Sequence, residues 1–208
     1  LRLSDFSPVP DTVSYLSKKE WNLLKATNEA RTQPDSLAER LTKWRAYYDG
    51  KIRNRPNHFP IRTTEGVSAL NEAIRFLRSV EPRAPLKPSR GLSKAAQDHA
   101  TYQKETGEKG HEGRNGSGVY DRASQYGYAT FVGENIAYGD KTGREMLIQL
   151  IIDDGVPSRG HRINIFREGY RHIGIGCDTH PQFDGSCVMD LAGQYDTAKS
   201  QAGKSKEV

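Results

Sequence analysis

The chain has 208 residues, enough to bury one hydrophobic core, and carries 31 Lys and Arg against 26 Asp and Glu, a formal charge of +5 and a pI of about 9.1. Both signs are interspersed, which argues against the clustered basic stripe of a nucleic-acid binder; the two most basic stretches, 51–58 and 199–208, read as solvated surface, and no nucleic-acid partner is expected. No apolar run approaches membrane-spanning length and Leu1 opens without a basic leader, so the chain reads as soluble and already processed, with no transmembrane segment.

Residues 1–13 are expected to be a leader or linker, 14–196 a single domain and 197–208 a polar tail. Ser17 to Glu20, "SKKE", has the spacing of a capping box and predicts a helix over "WNLLKATNEAR", with Trp21 and Leu24 on one side; Pro34 ends or restarts it. The stretch 49–64, "DGKIRNRPNHFPIRTT", has two prolines and little periodicity and reads as a loop. Val67, Leu70, Ile74 and Leu77 then fall on one face of a helix. "EPRAPLKP" (81–88) reads as a stiff connection, followed by a helix carrying Leu92, Ala95, Ala96, His99 and Tyr102. His99 on that apolar stripe reads as a packed, hydrogen-bonded histidine.

The glycine-rich run from His111 reads as a loop to Gly118 and a short helix over "VYDRASQYG", and "REMLIQLIIDD" reads as a helix with Met146, Leu147, Leu150 and Ile151 inward. Two strands close the chain, "RHIGIGCDT" and "CVMDLAGQY". In the first, Gly174 and Gly176 alternate with Ile173, Ile175 and Cys177, leaving one face open to close packing by a helix. The loop between the strands would bring Cys177 and Cys187 within bridging reach; spacing alone leaves two free thiols as the alternative. Helices followed by helices interleaved with antiparallel strands argue an α+β layered domain.

No P-loop, dinucleotide fingerprint or G-x-S-x-G elbow is present. The remaining polar candidates are His111, Glu112, Glu134, Asp153, Asp154 and His161. Imidazoles with carboxylates suit a zinc-like ion or acid–base work, yet their long spacing equally suits capping and ion-pair roles.

"GHEG" (110–113), "GENIAYG" (133–139) and "SRGHRINIF" (158–166), in that order and followed by "IGIGC", resemble the markers of the CAP superfamily, the cysteine-rich secretory, antigen 5 and pathogenesis-related proteins, and most closely its bacterial SCP-like extracellular branch. The resemblance covers about 92–195. It implies a three-layer α–β–α sandwich with a central antiparallel sheet, and a cleft lined by His111, Glu134, His161 and a second acid. In animal and plant members that acid follows an aromatic by three residues; Leu150 takes the aromatic's place, which selects Asp153 over Asp154. Aspartate is shorter than the family's usual glutamate, so the resemblance implies an ion, Zn2+ or another divalent cation, held chiefly by His111 and His161, with Glu134 and Asp153 direct or through water. It implies no organic cofactor.

The function expected is a secreted or extracytoplasmic binding protein, a monomer, taking a lipid, sterol, peptide or glycan, or a cell-envelope component, with no established catalysis. The alternatives are a metal-dependent hydrolase with Glu134 as general base and an envelope interaction module with a vestigial cleft.

Overall fold

A computed structural model describes residues 13–197. The leader and tail expected from the sequence lie outside it, apart from Val13 and Thr197.

Helix α1 (Lys18–Thr32) starts where the capping box places it: Ser17 N–H donates to Glu20 Oε2 at 2.6 Å and Ser17 Oγ accepts from Glu20 N–H at 3.4 Å. The other Glu20 oxygen accepts from Cys177 N–H at 2.9 Å, tying this helix start to a strand 157 residues away. Pro34 restarts the chain as α2 (Pro34–Lys43), where its missing N–H costs nothing. In α3 (Val67–Ser79), Leu70, Ile74 and Leu77 are buried, as the periodicity predicts. Helix α4 (Arg90–Thr106) is capped by Ser89 and ended by Gly107 at φ 72°. The short α5 (Val119–Ser124), α6 (Gly143–Ile152) and α7 (Gly160–Phe166) complete the helices.

Four strands form the central sheet: β4 (Lys87–Pro88), β6 (Val132–Tyr138), β7 (His172–Asp178) and β8 (Ser186–Ala192), in the order β4-β7-β8-β6. The three long strands are antiparallel, as expected, and β4 adds a parallel edge. That edge lies in the proline-rich stretch read as a connection. Pro88 has no N–H to give, which a sheet edge tolerates, while Lys87 and Ser89 donate to the carbonyls of Arg171 and Ile173 at 2.8 Å.

Alternation along the strands makes two layers of helix. Ile173, Ile175, Cys187, Met189 and Leu191 face α1, α3 and α6 in the main core; Ile136 and Val188 face Ala96 and Ala100 of α4. Each aliphatic side chain fully buried there contributes about 1.5–3 kcal/mol. The glycines of β7 set the second interface. A Cβ at Gly174 would lie 2.1 Å from the Leu92 backbone, and one at Gly176 2.3 Å from that of Gln97, so only glycine admits α4 at this distance. Cys177 and Cys187 stand directly opposite in the β7–β8 register and form a disulfide, which removes the free-thiol alternative.

The segment 49–64 is not the loop its prolines predict. It holds a small antiparallel sheet of β1 (Tyr48–Asp49), β2 (Ile52–Arg53) and β3 (Ile61–Arg62), strands too short to leave an alternating pattern. Nor is 51–58 simply solvated surface: the guanidinium of Arg55 lies 4.2 Å from the Trp44 ring centre and that of Arg53 5.6 Å. A second ribbon pairs β5 (Gly127–Ala129) with β9 (Tyr195–Thr197). Among the described residues no helix is long and apolar enough to cross a membrane.

Candidate functional site

Among the described residues, strand β6 ends the sheet with one edge unpaired, and Glu134 and Asn135, neighbours along it, point to opposite faces. Each side chain holds one histidine-bearing segment.

On the α4 face, Glu134 Oε1 lies 2.7 Å from His111 Nδ1, and Glu134 Oε2 accepts from Arg122 Nη2 at 2.6 Å. His111 reaches it because the loop before it is pinned: Gly110 N–H donates to Tyr138 Oη at 2.8 Å, and Gly110 O lies 2.8 Å from His99 Nε2 and 2.9 Å from Gln103 Nε2. His99 is thus the packed histidine expected, and burial holds its pKa below the ordinary value. Burial pushes the Glu134 carboxyl up, but the His111 hydrogen bond and the Arg122 charge outweigh it and leave the group below its usual range. Its hydrogen bond to Glu134 raises the His111 pKa.

On the other face, Asn135 Nδ2 donates to His161 O at 3.0 Å, and Asn164 Nδ2 to Asn135 Oδ1 at 3.1 Å. His161 sits in the first turn of α7, with its Nδ1 2.6 Å from Asp153 Oδ1. The helix expected to carry Asp153 to 154 stops at Ile152. Asp153 is instead its cap, in the left-handed conformation at φ 57°, which aspartate accepts more readily than most residues. Helical register therefore does not separate the two acids; the change of backbone conformation does. Asp153 turns to His161, while Asp154 accepts from the backbone N–H groups of Thr64 and Glu65 at 2.7 and 2.8 Å.

Two arginines hold the return between them. Arg159 reaches Glu65 and Glu72 at 2.6 and 2.7 Å, and these contacts hold the Glu65 carboxyl at about 2. Arg162 meets Glu72 at 3.0 Å and also donates to the Ile151 and Ile152 carbonyls, closing the end of α6.

His111, His161 and Asp153 line one cavity of about 880 Å³. Its walls carry Trp44, Tyr48, Phe59, Ile136, Ile148 and Ile152, with Arg53, Arg62, Lys109 and Lys141 among them. Phe59 is 92% exposed, and burial lowers the Lys141 pKa. Glu134 stands behind His111, its side chain 1% exposed, and Glu112 does not line the cavity. Among the described residues no three His, Cys, Asp or Glu side chains converge as a ready metal cage. The chemistry of the donors does suit an ion in one respect. Each imidazole gives Nδ1 to a carboxylate and leaves Nε2 without a hydrogen-bond partner among the described residues, the arrangement of histidines that ligate metals.

Arg122 and Asp190 escape the motifs. Asp190 stands opposite Glu134 in the β6–β8 register and is fully buried; burial and the Glu134 charge push its pKa well up. A single acid inside the apolar run "CVMDLA" was the available signal.

The profile of the cysteine-rich secretory protein family, CAP, matches residues 24–191. The chain belongs to this family. The CAP match takes in all four candidate cleft residues and both cysteines. The chain is 26% identical over 148 residues to the uncharacterized protein YkwD of Bacillus subtilis (strain 168), covering 70% of this chain and 55% of that protein. Among solved structures it is similar to an SCP-domain extracellular protein of Bacillus anthracis str. Ames (20% identity, TM-score 0.45, 59% of this chain and 37% of that one). It is also similar to BmVAL-1 (15% identity, TM-score 0.42, 90% and 82%).

Proposed function

We propose that this CAP domain is an extracytoplasmic binding protein whose cleft takes an amphiphile of the lipid or sterol class with an anionic or polar head. The 880 Å³ cavity carries the reading, because its apolar walls and cationic side chains occur together. Trp44, Phe59, Ile136 and Ile148 suit a hydrocarbon body; Arg53, Arg62 and Lys141 suit the head. A peptide or glycan would leave these apolar walls poorly used. The Cys177–Cys187 disulfide supports an oxidising compartment.

A divalent ion such as Zn2+ would be held by Nε2 of His111 and His161, with Glu134 and Asp153 orienting the rings and water or ligand completing the shell. Such an ion would supply a Lewis-acid contact for a ligand oxygen. The hydrolase alternative gains nothing from Glu134: both its oxygens are engaged and its side chain is almost wholly buried, a poor position for a general base.

Titration with the fluorescent probe dansyl-undecanoic acid tests the reading. Saturable micromolar binding, lost in Ile148→Trp and weakened in Arg53→Glu/Arg62→Glu, is expected. Binding that Ile148→Trp leaves unchanged and that salt abolishes would favour the envelope interaction module instead.

A further inference from the structure

Phe59, in the loop from β2 to β3, is 92% exposed, and Ile61 and Ile52 in those strands are 43% and 36% exposed. A lone exposed apolar side chain is ordinary; three on one ribbon of two-residue strands are a patch. The backbone that presents them is tied down. Asn54 N–H donates to Tyr47 O at 2.7 Å, and Thr63 N–H and Oγ1 both donate to Lys51 O, at 2.7 and 2.8 Å. Pro56 and Pro60 fix the backbone on either side of Phe59, and Arg55 is held between the Trp44 ring, 4.2 Å from its centre, and Glu145 at 3.3 Å. The ring of Phe59 is thus projected into water from an ordered loop.

The charge around it has one sign. Residues 50–64 hold four Lys and Arg and no Asp or Glu. The strand register sets Arg53 opposite Ile61 and Arg62 opposite Ile52, so each exposed isoleucine has a guanidinium beside it. Phe59, Ile61, Arg53 and Arg62 all stand on the rim of the 880 Å³ cavity, with Lys109. The carboxylates that line this cavity are engaged: Asp140 by Lys19 at 2.8 Å, Glu145 by Arg55, Asp153 by His161, and Asp154 by the Thr64 and Glu65 N–H groups. Among the described residues Arg53, Arg62 and Lys109 meet no carboxylate. An apolar ring projecting among unpaired cations matches hydrocarbon lying beneath an anionic layer. A second copy of the chain would bring like charges together, and isoleucine offers a nucleic-acid base no stacking surface.

We propose that this rim docks on the anionic surface of a lipid bilayer, with Phe59 and Ile61 entering the interfacial hydrocarbon and Arg53, Arg62 and Lys109 on the head groups. The mouth of the cleft then faces the bilayer, so that an amphiphile passes between the two without crossing water. Only this passage rests on the amphiphile reading of the cleft; the docking does not.

The test is co-sedimentation of the full chain with vesicles of equal parts phosphatidylcholine and phosphatidylglycerol, beside vesicles of phosphatidylcholine alone, with no cleft probe present. Binding to the anionic vesicles is expected, at least about tenfold weaker in Phe59→Ser and in Arg62→Glu/Lys109→Glu, all exposed positions whose substitution leaves the fold intact. Lys87→Glu/Lys94→Glu, an equal charge reversal at the opposite sheet edge and on α4, should stay within about twofold of the parent. No binding to anionic vesicles, equal binding to the neutral ones, or undiminished binding by Phe59→Ser would each overturn the proposal. So would a parent dimer that Phe59→Ser dissolves in sedimentation without lipid, which would give the patch to a second copy. Docking with no uptake of dansyl-undecanoic acid would sink the cleft reading alone, and uptake without docking would sink this one alone.

Discussion

Asp153 holds both the ring and the backbone of His161: its Oδ1 lies 2.6 Å from His161 Nδ1, and its Oδ2 accepts from His161 N–H at 3.1 Å. The same residue ends α6, so one carboxylate couples the helix stop, the turn and the orientation of the histidine. Replacing Asp153 by Ala leaves buried donors unmet and is expected to cost about 1–3 kcal/mol, with Asp153→Asn milder because asparagine also accepts the left-handed backbone. Denaturant unfolding of the two variants measures the difference.

Glu134 and Arg122 form a pair with side chains 1% and 5% exposed. Removing one partner strands the other charge, so Arg122→Met is expected to lower stability by about 3–5 kcal/mol. Pairing it with Glu134→Leu should recover part of that loss. A double-mutant cycle reads the coupling; additive losses would show that the pair does not act as a unit.

Two groups lose stability as pH rises, against the opposite contribution of His99 and of the lowered carboxyls of Glu65 and Glu134. Burial raises the folded pKa of Asp190; the stability linked to it is full below the ordinary carboxylate value of about 4 and falls as pH rises toward the folded value. His111, raised by its hydrogen bond to Glu134, adds a loss as pH climbs through and above about 6.5. Asp190→Asn should therefore gain over the parent as pH increases from 4 to 8, a trend that melting temperatures across the range would show. A constant offset between the two curves would contradict it.

The disulfide closes a short loop, with a sequence separation of 10, between directly paired strands. Loop-closure entropy gives about 3 kcal/mol for such a ring. Cys177→Ser/Cys187→Ser should unfold at lower denaturant, and reductant should shift the parent toward the variant without affecting the variant itself.

The sequence was most legible where a local rule acts alone. The capping box at Ser17–Glu20 and the alternation of Gly174 and Gly176 each depend on a few neighbouring residues, and the helix start and the α4–β7 interface lie where they indicate. The motifs bearing His111, Glu134 and His161 pointed to the segments that the fold brings to one cavity region. Residues whose role depends on distant partners left little trace. Arg122 resembles any arginine of a short surface helix until β6 brings Glu134 beneath it. The resemblance selects Asp153 by its spacing from Leu150, although its position follows from the chain leaving the helix there. The strands of 48–62 are stabilised by cross-strand pairing and by Trp44 beneath the arginines, neither of which a two-residue run records.

Isothermal titration of Zn2+ into chelator-stripped protein, beside the His111→Ala/His161→Ala variant, tests the cleft most directly. One ion at micromolar or tighter affinity is expected in the parent and none in the variant. Equal binding by both, or none by either, would contradict a metal held by these two imidazoles and leave the cavity as a metal-free ligand site.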